Sequence, residues 1–132
     1  MINRVRVISI AGIILASIVG VIAQPLENRF IIEPYVQHVT DSSFHILWET
    51  SVPCKDIVYL GIAELNILKP DLKPVQNNNS FSNFHNIEIA GLKAGTAYFY
   101  KVVTVSESGD TLVGPVTPFN IPDYNRSPVS FA

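Results

Sequence analysis

Ala97 to Ser106, AYFYKVVTVS, places Tyr98, Tyr100, Val102 and Thr104 on one side of an extended chain and Phe99, Lys101, Val103 and Val105 on the other. Side chains repeat every two residues in a strand and every 3.6 in a helix, so this stretch is a strand with one face turned to a core. The same period recurs upstream. In Ser43 to Thr50, SFHILWET, Phe44, Ile46 and Trp48 share a face against His45, Leu47 and Glu49, which directs Trp48 inward. Asp41-Ser42-Ser43 is turn chemistry before that strand, and Pro53 is expected to stop its ladder.

The remaining segments extend the pattern. Ile57 to Gly61, IVYLG, is a short apolar strand, and Ala63 to Leu68 is a weaker candidate. Lys69 to Ser80, KPDLKPVQNNNS, combines two prolines with an asparagine run and no apolar period, which predicts an exposed loop. Phe84, Asn86 and Glu88 then alternate against His85, Ile87 and Ile89, the second set facing inward and His85 with it. Gly91 to Thr96 holds two glycines and reads as a tight connection. Ser106 to Thr111 is a hairpin turn in which Gly109 can take a positive φ at no steric cost. Leu112 to Ile121 returns as a last strand, its Pro115 and Pro118 tolerated on an edge. About seven short strands without a helix predict an all-β, two-sheet antiparallel sandwich.

The N-terminus has a different character. Arg4 and Arg6 precede an uncharged run from Val7 to Ile22, and Val21-Ile22-Ala23 offers small residues for cleavage before Gln24. Residues 1–23 are therefore read as a signal peptide, with an uncleaved anchor as the rival, and the protein as secreted or periplasmic. The run is short for a spanning helix and is interrupted by Ser9, Gly12, Ser17 and Gly20. The stretch from Gln24 to Ala132 is long enough for one domain. The whole chain carries a formal net charge of −2, and loss of Arg4 and Arg6 makes it more acidic, which argues against nucleic acid or an anionic membrane as partner. Cys54 is the only cysteine, so stability comes from the core, and Cys54 reads as an unreactive packing residue.

With one cysteine the immunoglobulin cysteine pair is missing, and the fibronectin type III variant of the sandwich fits better. His85 to Val102, HNIEIAGLKAGTAYFYKV, resembles the passage in that family from strand E through an L-x-P-G-T turn into strand F. In this resemblance Leu92 plugs the core, Tyr98 stands at the tyrosine corner, Ala94 replaces the preferred proline, and Trp48 is the core tryptophan. A narrower resemblance is to the N-terminal domain of purple acid phosphatases. It rests on Pro34-Tyr35-Val36-Gln37, Trp48, Leu60-Gly61, His85, Gly91-Leu92, Gly95-Thr96 and the pair Tyr98 and Tyr100, in that order. It implies a fibronectin type III-like domain over residues 24–121. Residues 122–132 would then be a linker and the first residues of a truncated metallophosphoesterase domain, the partner against which this domain packs. The parent activity would be metal-dependent hydrolysis of phosphate monoesters at a binuclear centre of iron with iron, zinc or manganese.

The chain itself lacks the residues for that chemistry. The family's D-x-G, G-D-x-x-Y, G-N-H-[DE] and G-H-x-H motifs are all incomplete, and Gly109-Asp110 sits in a polar turn with no tyrosine three residues on. His38, His45 and His85 have no ligand spacing. Ser42, Ser43 and Ser51 lie in polar turns without a nucleophile elbow. No catalytic residue, metal ligand or cofactor is therefore expected in this chain. Asn78-Asn79-Ser80 and Asn125-Arg126-Ser127 are formal glycosylation sequons, and Phe81 and Phe84 beside the asparagine run are exposed aromatics that either cover the rim or meet a partner. Two functions remain open: the non-catalytic leading domain of a purple-acid-phosphatase-like enzyme, or a secreted interaction or glycan-binding module.

Overall fold

The computed structural model describes residues 20, 26–63 and 71–125. The signal segment with its Ala23–Gln24 cleavage site, most of the candidate strand Ala63 to Leu68, and the residues after Asn125 lie outside the described residues. The described chain forms β1 (Phe30–Gln37), β2 (Phe44–Ile62), β3 (Lys73–Ile89), β4 (Ala97–Ser106), β5 (Thr111–Val113) and β6 (Thr117–Asn120). No helix among them is long and apolar enough to cross a membrane.

All pairings are antiparallel, and two long strands divide their partners between two layers. Phe44–Glu49 of β2 pairs with Ile89–Phe84 of β3, with β1 on its other side. Beyond a register shift between Glu49 and Cys54, the same strand pairs from Cys54 with the front half of β3 and with Ser106–Tyr98 of β4. β5 and β6 both continue the sheet on β4. One continuous ladder of six strands thus folds over on itself into a sandwich.

The alternation read from the sequence fills the space between the layers. Phe44, Ile46 and Trp48 come from the front of β2, Val58 from its back, Ile87 and Ile89 from β3, and Tyr98, Tyr100 and Val102 from β4, with Ile121 closing one end. Phe44 packs against Phe119 at 4.9 Å and Tyr100 at 5.9 Å between ring centroids, in tilted geometries favoured by ring quadrupoles.

Three expectations are corrected, the first being that Leu112 to Ile121 is not one strand but divides into β5 and β6 on either side of Pro115. Pro53 does not end the strand: it sits exposed at the register shift, where the ladder needs no N–H from it, and β2 runs on to Ile62. Residues 73–80 are not a loop but the front of β3, pairing with β2 from Lys73↔Leu60 to Asn78↔Asp56. That half-strand is exposed on nearly every residue, so backbone pairing alone fixes it and no apolar period marks it.

Candidate functional site

The inward parity of β2 continues past the bend as Cys54, Asp56 and Val58, all without solvent exposure. Asp56 is therefore carried into the core by strand period. Facing it from β3 is His85, whose Nδ1 lies 2.7 Å from Asp56 Oδ2 with neither side chain exposed. His85 Nε2 lies 3.0 Å from Thr50 Oγ1, and Thr50 Oγ1 lies 2.8 Å from the carbonyl of Val52. The imidazole also stacks on Trp48, with centroids 4.8 Å apart and planes 6° from parallel.

The proton positions are set by the acceptors. The Val52 carbonyl can only accept, so the Thr50 hydroxyl donates to it and receives Nε2–H from His85. Nδ1 and Oδ2 share the remaining hydrogen bond, at 2.7 Å. Burial is the largest influence on Asp56 and raises its pKa above the ordinary carboxyl value, opposed by the hydrogen bond and then the charge of His85. In atom types the chain is a hydroxyl–imidazole–carboxylate relay. Its hydroxyl belongs to a residue 1% exposed and is spent on a backbone carbonyl, so no substrate atom reaches it. The arrangement ties the two layers together at the bend: Asp56 belongs to the half of β2 paired with β4, and His85 to the half of β3 paired with Trp48.

Of the residues marked by the sequence, Trp48, Tyr98 and Tyr100 are in the core and Leu92 packs against it. The Tyr98 phenol oxygen accepts a 2.9 Å hydrogen bond from the Lys93 amide, and Leu92 N–H donates to the Ser42 carbonyl, fixing the connection before β4. Gly95 has φ of 69° and donates to the Ile121 carbonyl. Burial raises the Tyr100 pKa, with a hydrogen bond to Thr117 opposing it. Asp56 and Thr50 carry no motif and have no counterpart among the sequence candidates; the alternation that puts Val58 inward was the signal available for Asp56.

The histidines do not converge. His38 and His45 meet edge to face at 5.4 Å, and His45 Nδ1 lies 2.8 Å from Asn86 Oδ1, on the face of the layer opposite to His85. Among the described residues no three metal-binding side chains gather, so they do not fit a binuclear centre. Asp110 is held in the β4–β5 turn, its N–H donating to Ser106 Oγ beside Gly109 at φ of 90°. Lys55 Nζ sits 4.8 Å over the Phe81 ring, whereas Phe84 is 74% exposed on the outer face of β3.

The class these features define is the fibronectin type III-like sandwich, and comparison with solved structures agrees. The fold is similar to a fibronectin type III domain of human fibronectin type III domain containing protein 3, at 16% identity over 78% of this chain and 92% of that one, with a TM-score of 0.53. It is similar to part of the twitchin kinase region from C. elegans, at 17% identity over 74% of this chain and 18% of that one, with a TM-score of 0.55. A fibronectin domain of Drosophila Lar matches at 15% identity over 70% of this chain and 94% of that one, with a TM-score of 0.50. No protein-family model and no curated protein sequence matches the chain. At these identities the likeness is one of fold.

Proposed function

We propose that the chain is a non-catalytic, exported interaction module on a fibronectin type III-like sandwich. The observation that carries this reading is the fate of its most reactive-looking groups: Thr50, Asp56 and His85 are consumed in tying the layers together inside the core. Function then falls to the outer surface, where apolar side chains stand exposed on the first layer. The test is to incubate the purified chain with iron, zinc or manganese and p-nitrophenyl phosphate. No hydrolysis and no stoichiometric metal uptake is expected; two bound ions per chain with turnover would overturn the reading. Export is checked by N-terminal sequencing of the mature protein, which should begin at Gln24.

A second reading is the leading domain of a purple-acid-phosphatase-like enzyme. It is favoured by the order of Pro34-Tyr35-Val36-Gln37, Trp48, Gly91-Leu92, Gly95-Thr96 and the paired Tyr98 and Tyr100. On this reading phosphate monoester hydrolysis belongs to a following domain whose face this module packs against. Reading the coding sequence past Ala132 tests it: metal-ligand motifs G-D-x-x-Y and G-H-x-H in frame support it, and their absence removes it.

A further inference from the structure

The outer face of the first layer is a grid set by strand register. Across β1, β2 and β3, one row is Ile32, Glu49 and Phe84, and the next is Tyr35, Leu47 and Asn86. These six residues line a shallow groove. Phe84 is 74% exposed, Ile32 46% and Tyr35 39%, so the apolar side chains have no cover within the described structure. Glu49 lies between Ile32 and Phe84, half-buried, and makes no hydrogen bond or ion pair among the described residues.

We infer that this face docks a partner protein that presents an arginine between apolar side chains, with the guanidinium seated on Glu49. The inference rests on the interaction-module reading and names its surface. Any surface that covers Ile32 and Phe84 also covers Glu49, because register places it between them. Enclosing a carboxylate without a counter-charge carries a desolvation penalty that works against the gain from the neighbouring apolar contacts. A guanidinium offsets that cost with two parallel hydrogen bonds, and its flat face also packs on Phe84. A second copy of this chain meets the requirement poorly, since a twofold contact sets the same patch against itself and brings Glu49 toward its own counterpart. A neutral glycan wants a flat aromatic platform, and here the two rings lie in different rows with aliphatic Ile32 and Leu47 beside them.

The test is a titration of the isotope-labelled chain with acetyl-Phe-Arg-Phe-amide, followed by amide chemical shifts. The control peptide carries citrulline in place of arginine, equal in shape but uncharged. Shifts confined to β1, the front of β2 and the back of β3 are expected, with binding weakened about tenfold for the citrulline peptide. Glu49→Gln, whose fold is verified by its own spectrum, is expected to lose the same factor and to stop distinguishing the two peptides. Absence of shifts, equal binding of both peptides, or preference for maltotriose over the arginine peptide overturns the inference. So does concentration-dependent broadening at these residues without peptide, which would assign the face to self-association. Shifts on another face overturn this surface while leaving the interaction-module reading standing. The phosphatase assay decides that reading separately.

Discussion

Asp56 and His85 meet at 2.7 Å, Asp56 lying beyond the register shift between Glu49 and Cys54 of β2 and His85 pairing with Trp48 ahead of it. A buried charge-assisted hydrogen bond with both partners present is close to neutral for stability, but loss of one partner leaves the other unsatisfied. His85→Ala also removes the stacked ring from Trp48. The expected loss is about 3 kcal/mol, read as a lowered urea midpoint with unchanged m-value.

Asp56 gives stability a pH dependence of known sign. Burial raises the Asp56 pKa above its ordinary 3.8, so the folded chain holds this proton more tightly than the unfolded chain does. The contribution is full below 3.8 and is lost as pH rises through the folded value. Asp56→Asn cannot titrate. The stability of the native chain relative to this variant should therefore fall as pH rises from about 3, as read from urea midpoints across the series. A relative stability that rises over that range would contradict the assignment.

Tyr98 acts as a tie between the connection and β4. Its phenol accepts from the Lys93 amide, so Tyr98→Phe leaves that donor without its acceptor while keeping the ring. A loss of about 1 kcal/mol is expected, together with faster hydrogen exchange at Lys93.

Thr104 offers the opposite case. It is fully buried on β4 opposite Asp56, and its hydroxyl has no hydrogen-bond partner among the described residues. Thr104→Val keeps the shape and removes a group that is desolvated without return. The variant should be neutral to about 1 kcal/mol more stable, measured by thermal or urea unfolding.

Legibility in the sequence tracks burial. Trp48, Tyr98, Tyr100 and the inward side of His85 were readable because a two-residue period is imposed wherever one face of a strand is packed. The front of β3 was not, because Lys73 to Asn77 face water on both sides and the pairing that holds them is made by backbone atoms common to all residues. Pro53 misled for a related reason: the rule that proline ends a ladder assumes its N–H is needed there. Asp56 went unseen because a carboxylate in an apolar strand looks like a solvent-facing residue until its parity with Cys54 and Val58 is counted. The Glu49 face needed register between three strands, which no single segment contains.

The passage of β2 and β3 from one layer into the other has a consequence for how the molecule comes apart. Neither half owns a complete set of strands, so peeling one away means tearing the main chain of the other out of its pairing. The sandwich is therefore expected to melt as a single cooperative unit, read as coincident unfolding transitions by different probes.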